Sequence, residues 1–230
     1  ISSADVILGD LVVTGGRTLT IAAGRTLTVN GRIDLTNGSL AGPGSVIVNG
    51  GVNLTNGNIV GLSSMTIGGS LVLGGAGGIG GVGLINITDC RTTALSGGGT
   101  GTFINAPLRR CIDRTGTYRF PVGSSGLYVP VELSNAAGSG TFTVEPKTGA
   151  YSGAAIGLPA NRLQRWWDTS GTGLTQADLS FTYQDPEVVG IEGRYRAYRI
   201  TGGNAQLLPS TTVIATNRTT VQGVTSFAAM

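Results

Sequence analysis

Apolar and polar residues alternate in short runs through the first hundred positions. SVIV (45–48), GVNL (51–54), GNIV (57–60), SMTI (64–67) and SLVL (70–73) start six or seven residues apart. A period of two is that of a strand with one buried side. It places Val46, Val48, Val52 and Leu54 toward one interior. The density of Gly and the period of two both argue against helix. Asn-Gly and Gly-Gly pairs separate the runs, where the chain must turn and a positive φ costs Gly little.

The runs themselves repeat. Residues 33–51 (IDLTNGSLAGPGSVIVNGG) align without a gap on residues 52–70 (VNLTNGNIVGLSSMTIGGS), an offset of 19. Leu35 falls over Leu54, Asn37 over Asn56, Gly38 over Gly57, Leu40 over Ile59 and Val48 over Ile67. A fixed short period marks a solenoid. Three strands and three corners per 19 residues predict a triangular parallel β-helix, its rungs about 4.8 Å apart. Like residues then stack in columns, such as Leu27, Val46, Met65 and Leu84, or Ile33, Val52 and Leu71. Leu35, Leu54, Val48 and Ile67 are expected inside. Asn37 and Asn56 stack at one corner, either as a short amide ladder or simply as turn formers.

Residues 5–32 continue the pattern less regularly, through DVIL (5–8), LVVT (11–14), TLTI (18–21) and TLTV (26–29). Thr18, Thr20, Thr26 and Thr28 make two TxT motifs, which bind ice where they stack into ladders. Here the equivalents of Thr26 and Thr28 are Ser45 and Ile47, then Ser64 and Thr66, so the ladder breaks and ordinary strand propensity explains the threonines. From Gly74 to Gly83 the sequence thins to GGAGGIGGVG, with Ile79 placed 19 after Val60. LINIT (84–88), TTAL (92–95) and GTFINA (101–106) supply a last, looser rung, for about five in all.

The texture changes after Arg114. TYRFPVG (117–123), YVPVELSN (128–135), GTFTVEPK (140–147), NRLQRWWDTS (161–170), ADLSFTY (177–183), YRAYRI (195–200), TTVIAT (211–216) and GVTSFAAM (223–230) read as alternating strands bounded by turns. That spacing predicts an antiparallel β-sandwich. The chain is therefore expected to be all-β, with a β-helix over 1–114 and a sandwich over 115–230. Trp166 and Trp167 are adjacent, so one faces the core and the other the opposite side, by packing or as a sugar or partner surface.

Composition narrows the classes. Charged residues are 12% of 230 and Gly is 40 of them, which fits many tight turns rather than disorder. The net charge of +3 comes mostly from Arg, with Lys147 the single Lys and no basic run, so nucleic acid is not an expected partner. No apolar stretch reaches membrane-span length. The sequence opens at Ile1 rather than Met, compatible with removal of an export leader.

Catalytic signatures are sparse. There is no His, which excludes Ser-His-Asp and Cys-His chemistry and most zinc sites. Asp34 is followed one rung on by Asn53 and then Val72, so no acidic column forms on the solenoid. Asp185 and Glu187 lie close together beside Pro186, as a solvated loop or a weak calcium pair. Gly77–Gly81 lacks the lysine and following helix of a phosphate loop. No metal or cofactor is expected. Cys90 and Cys111 lack redox CxxC spacing; they read as a disulfide, with two buried thiols the alternative. A bridge would point to an oxidising compartment.

The order YRFPVG, YVPVELSN, RLQRWWDTS, LSFTYQDPEVVGIEG, YRAYRITGG and VTSFAAM resembles the immunoglobulin-like module near the C-terminus of large secreted bacterial surface proteins, including those exported by the type IX route. The likeness spans about 117–230. The final FAAM departs from the Ser-Pro-Phe tail usual there. The 19-residue repeat resembles the shafts of filamentous-haemagglutinin-like adhesins. Both resemblances imply a non-enzymatic extracellular protein, such as a fibre or surface-layer subunit or an adhesive stalk. The alternative is a carbohydrate-binding or carbohydrate-cleaving module, with cell-surface glycan as its partner. For the structural reading, a β-helix end carries unpaired backbone groups that invite head-to-tail self-association. The candidate partner surface is Asp5, Val6 and Asp10 on the first rung, Trp166 and Trp167, and Thr211 and Val213 near the end of the chain.

Overall fold

The computed structural model describes residues 6–151, 160–227 and 230. The chain divides into two compact units, 1–111 and 112–230.

The first unit is a parallel β-solenoid of about five turns. Its first side stacks Val6–Leu8, Thr26–Val29, Ser45–Val48, Ser64–Ile67, Ile85–Ile87 and Leu108–Ile112. The second stacks Leu11–Thr14, Ile33–Thr36, Val52–Thr55, Leu71–Gly74 and Leu95–Gly97. The third stacks Thr18–Thr20, Ser39–Ala41, Asn58–Val60, Gly78–Gly80 and Ile104–Asn105. All of these pairs are parallel. Leu35, Leu54, Val48 and Ile67 are buried as the alternation predicts. Each inward column is a run of aliphatic side chains that no single rung could bury alone.

The register is 19 through the central rungs, is longer at the first and last rungs, and first lengthens beyond the central rungs at one identifiable place. Gly74 pairs with Thr55, but Gly78 pairs with Asn58 and Ile79 with Ile59. One residue is inserted at the Gly75–Gly77 corner, opposite Asn56 and Gly57. The N–H of Ala76 donates to Asn56 Oδ1 at 2.6 Å, so the inserted peptide does not leave a bare donor. The slip carries forward, and Met65 pairs with Ile85 rather than with Leu84. Ile79, expected over Val60, stands over Ile59 for the same reason.

Of the two readings of Asn37 and Asn56, the structure shows the turn. Asn37 and Asn56 adopt left-handed backbone, φ 52° and 56°, and serve as turn formers. The side chains that bond along the axis are Asn49 to Asn30 at 2.9 Å, Asn53 to Asp34 at 2.8 Å and Ser64 to Ser45 at 3.1 Å. One inward column ends on a charge: Val29, Val48, Ile67 and Ile87 are succeeded by Arg110. Arg110 is fully buried, and its Nη2 donates to the carbonyls of Arg91 and Thr92. Cys111, the next residue, is disulfide-bonded to Cys90.

The second unit is built on an antiparallel sheet in the order Tyr118–Phe120, Val131–Thr148, Arg165–Thr182, Arg218–Val224 and Ser210–Val213. YVPVELSN and GTFTVEPK were expected as separate strands. Most of both lies in one 18-residue strand, Val131–Thr148. The strand regions of WWDTS and ADLSFT are likewise joined in Arg165–Thr182. The Gly-rich stretches between them are bulges, not turns: the register shifts between Ser134 and Thr141. Gly138 and Gly173 take φ of 87° and 75° there, which few side chains tolerate. The remaining pairing is in two-stranded ribbons: Gly123–Ser124 with Leu127–Tyr128, Arg162–Leu163 with Val188–Val189, and Tyr198–Thr201 with Asn204–Leu207. Among the described residues these ribbons do not join into a second continuous sheet. Phe142 packs edge-on against both Phe120 and Phe227 in the core. Among the described residues no helix is long and apolar enough to cross a membrane.

Candidate functional site

Two places concentrate features beyond packing: the outer edge of the first rung, and a cavity in the second unit.

On the first rung, Val6–Leu8, Leu11–Thr14 and Thr18–Thr20 each have a partner strand on one side only, among the described residues. Asp5 lies outside the described residues. Val6 sits in the first of these strands. Asp10 does not guard the edge by pointing into it; its carboxylate accepts the N–H of Arg32 at 2.9 Å and ties the rung to its successor. Val12 stands on the rung's outer surface at 61% exposure. On the second unit, Ser210–Val213 is the terminal strand of the sheet. Thr211 is exposed and Val213 is 49% exposed.

Trp166 and Trp167 point to opposite sides of their strand, as alternation requires. Trp167 is 4% exposed and packs on Phe181 with ring centroids 4.9 Å apart. Its backbone exchanges two hydrogen bonds with Met230, of 2.6 and 2.8 Å, so the last residue of the sequence is pinned beside it. Trp166 is half-buried and meets Tyr151 edge to face at 4.9 Å and 89°.

Around these rings lies a cavity of about 270 Å³. Phe181, Tyr183, Tyr195 and Tyr198 complete its aromatic wall, with Leu163 and Ile200 between them. Tyr195 is fixed by its hydroxyl, which donates to the Arg162 carbonyl at 2.9 Å and accepts the N–H of Val189 at 3.1 Å. Burial pushes the Tyr195 phenol above its ordinary range. Tyr183 is pushed further the same way, by burial and then by the negative charge of Glu192. Both stay neutral at physiological pH.

Four arginines line the cavity: Arg162, Arg165, Arg194 and Arg196. Arg165 is already committed. Its side chain has no exposed surface and its Nε lies 2.5 Å from Glu187 Oε1, while Nη1 donates to Ser124 Oγ. Glu187 in turn accepts the N–H of Gln184. The Asp185 and Glu187 carboxylates are therefore neither a solvated pair nor a joint calcium site: Glu187 is buried on Arg165, and Asp185 accepts from the Asn217 amide at 2.5 Å. The spacing of Asp and Glu in DPE suggested the loop; the ion pair across 22 residues had no local signal. Arg194 and Arg196 have no acidic partner among the described residues. No group of three or more metal-ligating side chains occurs among those residues.

Comparison with known protein families, with curated proteins and with solved structures finds no match. The resemblances to surface-protein modules and adhesin shafts gain nothing from these comparisons, and the functional reading rests on geometry.

Proposed function

We propose that the chain is a non-enzymatic extracellular structural protein, a subunit of a fibre or surface layer or an adhesive stalk, that self-associates through strand edges. The observation that carries this reading is the first rung. Among the described residues its three strands have a partner strand on one side only, and residues 6–20 contain neither Lys nor Pro, the residues that commonly blunt an edge. Such an edge is covered either by further chain or by a second copy. In a second copy, the terminal strand Ser210–Val213 is the complementary element, since it too has a partner strand on one side only among the described residues. A contact between two different surfaces of the same chain propagates unless its rotation closes a ring.

Location outside the cell is supported by the Cys90–Cys111 bridge, which persists in oxidising compartments. On the same reading the second unit is an immunoglobulin-like β-sandwich module of a secreted bacterial surface protein, the two-stranded ribbons serving as its second layer. A glycan platform has less support, because Phe120, Phe142, Phe181 and Trp167 lie inside rather than side by side on one surface. The test is electron microscopy with light scattering of the purified, oxidised chain over a concentration series. Filaments, rings or mass that grows with concentration support the proposal. A strict monomer throughout overturns it.

A further inference from the structure

We infer that the aromatic cavity of the second unit is a binding site for a small ring-bearing organic anion, in chemical class an aryl carboxylate. The inference is independent of self-association.

Size sets the first limit. A dry apolar cavity of roughly 150 Å³ admits a benzene ring; this one, at about 270 Å³, has room for a ring with a short acidic arm. The walls set the second. Tyr151 and Trp166 lock each other edge to face, and Tyr183 and Tyr195 do the same with centroids 6.0 Å apart. Walls held in this way present ring faces and edges without the entropy cost of ordering them on binding.

Charge selects among ring-bearing molecules. Among the described residues no Asp or Glu lines the cavity, whereas four arginines do. Glu187 is bound to Arg165. Glu192 lines the neighbouring polar hollow with Asp185 and Asn217, not this cavity. Arg194 and Arg196 flank Tyr195, whose backbone is extended at φ −63° and ψ 144°. Both arginines line the cavity and both are exposed. Arg196 Nη1 donates to the Tyr195 carbonyl at 2.7 Å, which holds its guanidinium beside that residue and leaves its other N–H groups for a ligand. Two exposed cations with no acidic partner among the described residues thus border a largely apolar pocket. A guanidinium matches a carboxylate in two parallel hydrogen bonds, which a neutral hydroxyl cannot reproduce. A sugar suits the pocket poorly, because most of its hydroxyls would face hydrocarbon and ring.

The experiment is calorimetric titration of the intact protein with phenylacetate, benzyl alcohol and methyl glucoside in parallel, with tryptophan fluorescence as a second readout. Phenylacetate should bind and change the fluorescence. Benzyl alcohol should bind about tenfold more weakly or worse, the difference a charged hydrogen bond makes. Methyl glucoside should not bind. The double variant Arg194→Gln, Arg196→Gln should lose the preference for the acid while keeping its circular dichroism. Added salt should weaken phenylacetate and leave benzyl alcohol unchanged, a readout that needs no variant. Equal affinity for acid and alcohol, tighter binding of the glucoside, or no signal with phenylacetate at millimolar concentration would each overturn the proposal.

Discussion

Asn37 and Gly38 divide one corner between them in a way their identities alone do not announce. The left-handed φ of 52° belongs to Asn37, a residue that tolerates it through its short polar side chain. Gly38 has an ordinary φ. It is Gly because a Cβ there would lie 2.3 Å from the Val13 carbonyl of the preceding rung. The same division recurs at Asn56 and Gly57, where the Cβ would meet Leu35 at 2.7 Å. Asn37→Gly should therefore change stability by no more than about 1 kcal/mol. Gly38→Ala should cost about 1–3 kcal/mol, as overpacking does, and lower the midpoint of chemical denaturation. Equal losses in the two variants would reverse the assignment. At the same scale, the raised phenol of Tyr183 makes a pH prediction. Its folded pKa lies above the unfolded value near 10. Stability from keeping it neutral is present in full below about pH 10, and is lost as pH rises from there toward the folded value. Tyr183→Phe should flatten this alkaline decline in thermal stability. An unchanged slope would assign the decline to other groups.

At the scale of the element, what could be read in advance depended on whether local pattern decided the structure. The inward columns were legible because a period of two leaves one register that buries most of the Leu, Ile and Val, with Val12, Ile47, Val60 and Val72 left outside. The inserted residue at Gly75–Gly77 was not legible, since a run of Gly and Ala looks the same one residue along. The two 18-residue strands were hidden by NAAGSG and SGTG, which read as turns but are bulges; nothing short-range separates the two outcomes. The rings of the cavity were visible as aromatics, but their convergence depends on loops and ribbons with no period. The Arg165–Glu187 pair was illegible for the same reason, and it ties the loop at Glu187 to the strand at Arg165. With Arg165 fully buried, Glu187→Gln leaves a cation with no counter-charge. Breaking a buried pair costs about 3–5 kcal/mol, a large share of what a domain of this size has. Scanning calorimetry should show the second unit melting markedly earlier, with the strand signal of the solenoid retained. A shift within about 0.5 kcal/mol, the range of inert surface changes, would mean that the pair contributes little.

At the scale of the whole molecule, the open question is what covers the first rung. Alternate residues of a parallel strand bond to opposite neighbours. Leu11 donates its N–H to the Arg32 carbonyl of the second rung at 2.9 Å, so Val12 turns its own N–H and carbonyl to the outer side, where no partner strand lies among the described residues. Its side chain is also exposed, and nothing in the core depends on it. Val12→Pro thus deletes one outward donor and places a ring where another strand would approach, while leaving the bonds to the second rung in place. Proline is tolerated in this setting, on an edge with its nitrogen toward solvent. On the proposed reading the unsubstituted chain forms assemblies that grow with concentration, and the Val12→Pro chain stays monomeric with the same circular dichroism and melting profile. If the Val12→Pro protein assembles as readily as the parent, pairing through this edge is wrong even where fibres exist, and the exposed strand Ser210–Val213 becomes the surface to alter next. If the parent is itself monomeric, the rung is an attachment point for further chain and the solenoid a spacer. The measurement separates these three outcomes because the substitution acts on the edge alone and leaves the stacked columns beneath it untouched.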